Sequence, residues 1–472
     1  MLRRRCTTIS VLAALACLVT LLGVAPVATA ADGAAATKHA RKHQFHKKKA
    51  PKVTRTVGHP PANAAVRPGV VFNYPNRSRN EQTAIRRRVL NTIKSTWGGR
   101  RDRLHAAHSS NGTIRIATWT FRDMAMARAL YAAHRRGVSV QVIAAKDPNN
   151  GSGPWRWLRK RLKTRLYHVG HRETANRWSF ARTCRGSCRG RGGTPHSKYF
   201  LFHNVGSRHR STITMQTSMN LTSMAYEGQW NEATTTWKSS VYHQFYDVFR
   251  ESRLDRPVSD SYRHYTSGGF QTFFFPRPRT TAGYDPVMTA LSHVHCTGHT
   301  KIRIVQYAIY DARGVWIAKR LRALWNAGCD IKIIFSAMNR PVFSILHARS
   351  GRGAVPMKQS VVRNGFGDIV KYNHNKWMAI TGHWGTSTKA YLVFSGSSNW
   401  GNLAFSCDEQ MQQIKSYAYT RPHLVAFGKT WRQSSSHAPR PGPIDPGARG
   451  VPQDLPETLT FGEGVYKYMT ED

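Results

Sequence analysis

Two short segments of this 472-residue chain set an imidazole and an ammonium two residues apart at the head of an apolar run. They are His196-Ser197-Lys198 before Tyr-Phe-Leu-Phe and His374-Asn375-Lys376 before Trp-Met-Ala-Ile. In an extended strand residues i and i+2 share a face, so each histidine and its lysine point the same way. Asn220 and Asn399 follow the histidines by 24 and 25 residues, in Thr217-Ser218-Met219-Asn220 and Gly396-Ser397-Ser398-Asn399, and Glu232 and Glu409 come after another 12 and 10. One His-x-Lys occurs by chance in many chains; two with the same downstream spacing make a pattern. The chemistry open to these groups is cleavage of a phosphodiester, which needs its negative oxygens neutralised, a nucleophile in line and a proton for the leaving alkoxide. Lys198 and Lys376 supply charge, and Asn220 and Asn399 supply amide donors, with Ser218 and Ser397 as lesser donors. One imidazole attacks and the other gives the proton. A nucleophilic imidazole needs an acceptor on its second nitrogen, and Glu232 and Glu409 are candidates for that role.

An internal repeat explains why the pattern occurs twice. Ile114-Arg-Ile-Ala-Thr-Trp-Thr-Phe-Arg-Asp123 lies over Ile302-Arg-Ile-Val-Gln-Tyr-Ala-Ile-Tyr-Asp311, and each begins a buried strand. A helix follows in both copies, over Met124 to Arg136 and Gly314 to Ala327, and then a second apolar strand, Gly137 to Ile143 and Gly328 to Ile334. That is a β-α-β unit made twice. The openings correspond as well: Phe72-Asn-Tyr-Pro75 and Phe273-Phe-Phe-Pro276 each precede a helix. The boundary between the copies falls near Leu254 to Gln271.

These segments together resemble the phospholipase D superfamily, whose signature is a duplicated His-x-Lys-x4-Asp, each copy followed by a Gly/Ser-Ser-x-Asn segment and an acidic residue. The resemblance runs from about Gly69 to Lys415. It implies an α/β fold of two similar α/β/α lobes, each a mixed, mostly parallel sheet flanked by helices, with one active site at the pseudo-two-fold interface. It also implies His196 as nucleophile, His374 as acid, and no cofactor or metal. The sequence departs from the signature at its last place: His203 and Thr381 stand where the family usually has Asp. That residue is largely a structural support in the family, and tyrosyl-DNA phosphodiesterases, which are similar, work without it.

The rest of the chain bounds location and partners. Arg3, Arg4 and Arg5 precede an apolar run from Val11 to Val24 and an Ala28-Thr29-Ala30 cleavage site, so residues 1–30 read as a signal peptide and the mature protein as secreted. Residues 31–67 form a basic arm with almost no large apolar side chains, expected to be disordered. The first lobe is assigned to 68–255, the second to 270–432, and a Pro-, Gly- and Ser-rich tail to 433–472. Of the five cysteines past the signal, Cys296 and Cys329 each precede a neighbouring strand, at the same sheet edge, as a disulfide or as two buried thiols. Cys184-x3-Cys188 lacks zinc spacing. His168, His171, His203 and His383 have no repeat partner and read as ordinary histidines. Trp155, Trp157, Trp178, Trp384 and Trp400 suit a lipid or base site, a membrane-facing rim or core packing.

A net charge of +47 favours polyanionic partners: an anionic membrane surface, nucleic acid or cell-wall phosphate polymer. Three functions fit. The first is a phospholipase D-like enzyme hydrolysing or transferring phospholipid headgroups, the second a secreted nuclease of the same superfamily, and the third a noncatalytic polyanion or cell-wall binder descended from the enzyme. No obligate protein partner is inferred. Because lysines take the electrostatic role of a metal, excess chelator is expected to leave turnover unchanged. Loss of activity restored by zinc or calcium at the active site would contradict this.

Overall fold

Alternating apolar runs and hairpin turns build the sheets, and helices of about the same total length flank them. The computed structural model describes residues 66–98, 112–163, 178–435, 461, 463 and 466–469, all in one unit, Ala50–Asp472. The signal segment, nearly all of the basic arm, His168, His171 and most of the tail lie outside the described residues.

The first half contains β1 (Gly69–Phe72), α1 (Arg79–Gln82), α2 (Ala84–Lys94), β2 (Thr113–Thr118), α3 (Met124–Arg135), β3 (Ser139–Ala145), α4 (Gly153–Arg161), β4 (Phe180–Cys184), β5 (Tyr199–His203), β6 (Ile213–Thr217), α5 (Ser223–Glu227), β7 (Gln229–Trp230), β8 (Glu232–Thr236) and α6 (Ser239–Ser252). The second half contains β9 (Arg263–Ser267), β10 (Phe270–Phe274), α7 (Pro286–Ser292), β11 (Lys301–Ile309), α8 (Asp311–Asn326), β12 (Asp330–Met338), α9 (Arg340–His347), β13 (Met357–Gln359), β14 (Val361–Arg363), β15 (Ile369–Asn373), β16 (Lys376–Trp384), β17 (Ser387–Gly396), β18 (Gln410–Lys415) and α10 (Tyr417–Gln433). Their strands form a seven-stranded sheet, β1-β8-β6-β5-β2-β3-β4, an eight-stranded sheet, β13-β12-β11-β16-β17-β18-β10-β9, and a small sheet, β14-β15-β7, that joins the halves.

The α/β class with mixed, helix-flanked sheets is as expected, but the balance of directions is not. In the two large sheets parallel pairing is confined to β2-β3-β4 and β11-β12-β13, and every other pair is antiparallel. The reason is connection length: only the β-α-β units have a crossover long enough for parallel pairing, whereas each strand after a His-x-Lys turns back directly, β5 into β6 and β16 into β17.

Three apolar clusters hold the layers together. Helices α2, α3 and α4 cover one face of the first sheet, with Ile85, Leu130 and Trp155 among the buried side chains. Helices α7, α8 and α9 cover one face of the second through Leu291, Leu321 and Phe343. The third cluster belongs to both halves: Phe245 of α6 and Phe427 of α10 share it with Leu201 of the first sheet and Val305 and Val393 of the second. Trp155 and Trp400 are core residues, and Trp178 is 38% exposed. Cys296 and Cys329 form a disulfide, and so do Cys184 and Cys188, a bridge that the sequence did not suggest.

Arg313 shows how a helix is locked to a site loop. Its guanidinium, without solvent exposure, donates to both carboxyl oxygens of Asp285 at 3.0 and 3.1 Å, to Ser398 Oγ at 2.9 Å and to the Asn399 carbonyl at 2.8 Å. Removing one partner of a buried pair leaves the other charge unpaired, so Arg313→Ala is expected to cost about 3–5 kcal/mol in denaturant unfolding. A loss below about 1 kcal/mol would show that the pair does not hold the loop.

Candidate active site

Each His-x-Lys segment is brought to the site by pairing with the opposite half. Pro195 bridges Asp408 in parallel, and His196 N donates to the Asp408 carbonyl at 2.9 Å. In the second copy Tyr372 and Asn373 pair in parallel with Gln229 and Trp230, and His374 N donates to the Trp230 carbonyl at 2.9 Å. Each histidine therefore lies beside the residue that follows its bridge partner: Glu409 for His196 and Asn231 for His374. His196 Nδ1 is 2.7 Å from Glu409 Oε1, and His374 Nδ1 is 3.1 Å from Asn231 Oδ1.

The second contact corrects the expectation for Glu232. In both halves a serine hydroxyl accepts from one backbone N–H and donates to the histidine's partner. Ser397 accepts from Gln410 N and donates to Glu409, and Ser218 accepts from Glu232 N and donates to Asn231 Oδ1 at 2.8 Å. Phe275 N and Asn73 N donate to the carbonyls of Glu409 and Asn231. The counterpart of Glu409 is thus Asn231, and Glu232 matches Gln410. The sequence pairing of the two glutamates is one residue out of register, and in a strand a one-residue slip sends the side chain to the other face. Asn231 Nδ2 donates to Ala225 O and Gln229 Oε1, which fixes Oδ1 toward His374. Ser218 and Ser397 brace these acceptors.

The lysines are buried, Lys198 at 1% and Lys376 at 4% exposure, and each Nζ donates to the carbonyl of the histidine two residues before it, at 2.8 and 2.9 Å. Gln410 grips the Lys198 backbone, accepting from its N–H and donating to its carbonyl. The Tyr307 ring lies 4.8 Å from Lys376 Nζ and 4.7 Å from the His374 ring; Trp119, its repeat partner, meets His196 edge-on at 5.9 Å. These aromatics are the shared sixth place of the repeat; Trp119 directly follows β2, and Tyr307 lies near the end of β11. Gly396 must be glycine: a Cβ would sit 2.1 Å from the Gln410 carbonyl oxygen.

A cleft of about 310 Å³ opens on His196, lined by Trp119, Tyr310, Asn399, Leu403 and Glu409. Asn399 faces this cleft; Asn220 is buried, its Oδ1 3.4 Å from Thr120 N. His203 ends β5 and Thr381 lies within β16, each roughly 17 Å beyond its lysine at the usual strand rise, so neither is part of the site. Among the described residues no group of three or more His, Cys, Asp or Glu could hold a metal ion, and no helix is long and apolar enough to cross a membrane.

Electrostatics make the two halves one site, because each imidazole lies in the field of both lysines. Burial pushes His196 down to about 4, with Lys198 and Lys376 adding to the drop and Glu409 opposing it. His374 is held well below the ordinary histidine range by burial, then by Lys376, Lys198 and His196. Burial alone would raise Glu409, but His196, Lys198 and Ser397 outweigh it, so the carboxyl is ionised and accepts the N–H of a neutral His196.

Residues 102–253 match the family described as Cardiolipin synthase, PLD-like domain. That span encloses His196, Lys198, Asn220 and Asn231. This span is a PLD-like domain. Among solved structures, polyphosphate kinase from Porphyromonas gingivalis aligns over 80% of this chain with a TM-score of 0.51 and 13% identity, and the chain spans about half, 53%, of that kinase's length. Phosphatidylserine synthase from Haemophilus influenzae aligns over 78% of this chain and 87% of its own, at 10% identity and a TM-score of 0.49. The phospholipase D family member Nuc from Salmonella typhimurium aligns over 40% of this chain and 96% of its own, at 18% identity and a TM-score of 0.28. No curated protein sequence matches the chain. The kinase alignment supports the fold, and the family match marks residues 102–253 as a PLD-like domain.

Glu232 gives the protein a pH signature. Its carboxyl is buried 3.9 Å from His423, and burial pushes it from 4.5 up to about 8. The folded state binds this proton more tightly than the unfolded chain does. Its contribution to stability is therefore complete below about pH 4.5 and is lost as pH rises toward 8, by up to about 1.4 kcal/mol per unit. Glu232→Gln has no proton to lose, so its stability advantage over wild type is expected to widen between pH 5 and 8 in paired denaturant titrations. A constant difference across that range would mean that Glu232 is ionised in the folded protein.

Proposed function

We propose that this chain is a phosphodiesterase of phospholipase D type that releases phospholipid headgroups through a phosphohistidine intermediate at one site shared by both halves. The observation that carries the reading is the crossed pair of His196 with Glu409, 2.7 Å apart and contributed by different halves, beside the amide-partnered His374.

The asymmetry of the two partners supports the division of roles. Phosphorylation leaves positive charge on an imidazole, and a carboxylate on Nδ1 stabilises that charge where an amide does not. His196 Nε2 attacks phosphorus, and the bond to the departing oxygen breaks. His374 gives that oxygen its proton, then removes one from the water that attacks the phosphohistidine, which frees His196. Lys198, Lys376, Asn220 and Asn399 hold the non-bridging oxygens. The incoming anion offsets the field of the lysines and raises His374, so the acid gains its proton as substrate binds. Lipid is preferred because Trp119, Tyr310 and the 40% exposed Leu403 give the cleft an apolar side. Secretion accords with the two disulfides.

One observation favours a nuclease instead. Arg277 lies over the rings of Tyr262 and Tyr284, at 4.0 and 5.2 Å, and its backbone N donates to Phe405 O next to the cleft, an arrangement that suits a phosphate backbone with stacked bases.

Purified chain with phospholipid vesicles and a primary alcohol is expected to give phosphatidyl-alcohol alongside phosphatidic acid, because the covalent intermediate can be opened by either acceptor. His196→Ala and His374→Ala are each expected to lower turnover by roughly a thousandfold or more, since residues that act as a unit do not contribute additively. Near half the wild-type rate in either variant would sink the shared site. Cleavage of DNA with every phospholipid intact would replace the lipid reading with the nuclease, and cleavage of neither would leave a noncatalytic binder.

A further inference from the structure

The hairpin that delivers His374 ends in a side chain with no structural use. β14 and β15 are joined by Asn364-Gly365-Phe366-Gly367-Asp368, and Phe366 at the tip is 93% exposed. The turn is ordered: Asn364 Oδ1 accepts from Phe366 N at 3.0 Å and from Asp368 N at 2.9 Å, and Arg363 donates to the Gly367 carbonyl at 2.7 Å. The ring is thus presented to solvent instead of folded back. Beside it the C-terminal segment docks through Lys467 on Asp368 at 2.8 Å and exposes 47% of Tyr468. Arg363 and Lys467 set cations beside the turn, whose one carboxylate, Asp368, is neutralised by Lys467.

We infer that this tip is an interfacial anchor that inserts Phe366, with Tyr468 at its edge, into an anionic phospholipid bilayer while the basic side chains meet lipid phosphates. Resting on the phospholipid reading of the active site, it adds how the enzyme is held at its substrate's surface. An apolar ring held in water gains free energy when an interface buries it, and cations beside it gain from the negative surface potential. The anchor is also joined to the chemistry. β15 runs from the tip into Asn373 and His374, and Tyr372 of that strand packs on Tyr307, the ring beside His374.

The test uses the full chain and vesicles of phosphatidylglycerol mixed with phosphatidylcholine, with co-sedimentation as the readout. Phe366→Ser is expected to weaken vesicle binding roughly tenfold, with Phe366→Leu recovering most of it, while hydrolysis of a short-chain phospholipid below its micelle concentration stays at the wild-type rate. Wild-type vesicle binding by Phe366→Ser would overturn the anchor even if short-chain lipid is cleaved. An equal loss of oligonucleotide binding would overturn it too, marking the tip as a nucleic-acid contact. Weakened vesicle binding in a protein that cleaves no phospholipid would leave the anchor standing and remove the phospholipase reading alone.

Discussion

Burying cations together is the constraint from which the rest of this structure follows. His196, Lys198, His374 and Lys376 are each at most 5% exposed, and both imidazoles lie in the field of both ammonium groups. Taking the two ammonium groups out of water costs several kcal/mol per ion unless polar partners replace the lost hydration, and their field keeps the imidazoles neutral. The partners are drawn from across the molecule: Glu409 for His196, Asn231 for His374, Gln410 for the Lys198 backbone and the Tyr307 ring for Lys376. Because the two histidine partners come from the opposite half, neither half is complete without the other. The shared apolar cluster of α6 and α10 and the small β14-β15-β7 sheet hold that register.

Duplication does not make the two halves equivalent. The serine braces, the parallel bridges and the lysine-to-carbonyl bonds recur almost unchanged, yet one histidine faces a carboxylate and the other an amide. A single substitution at the acceptor place gives two imidazoles of similar burial different chemical capacities. The same register turns Glu232 away from His374, to a buried place near His423 and within the field of Lys376.

Much of this was legible in the sequence because the repeat carried it. Two β-α-β units and the strands headed by His-x-Lys follow from periodicity and spacing, and the repeat put Cys296 and Cys329 at one sheet edge while leaving a disulfide and two buried thiols both open. The predominance of antiparallel strands was missed because the β-α-β units drew attention to the crossovers and away from the direct returns after each lysine. The acceptor of His374 was missed for a different reason. Two glutamates at almost equal spacing invite alignment, and only the backbone register reveals that one is offset by a residue. Trp119 and Tyr307 stand at the shared sixth place of the repeat, whereas the docked tail residues Tyr466 and Met469 reach Tyr307 through tertiary packing, which no local pattern encodes.

The most direct measurement is the identity of the phosphorylated atom. A p-nitrophenyl phosphodiester has a leaving group that needs no proton, so His374→Asn should still form the covalent intermediate with it but lack the base to hydrolyse it. Rapid acid-free quenching and peptide mass spectrometry are expected to find the adduct on the peptide bearing His196, accumulating with the release of p-nitrophenol. An adduct on any other residue, or release of p-nitrophenol with no adduct at all, would contradict a phosphohistidine site built from both halves.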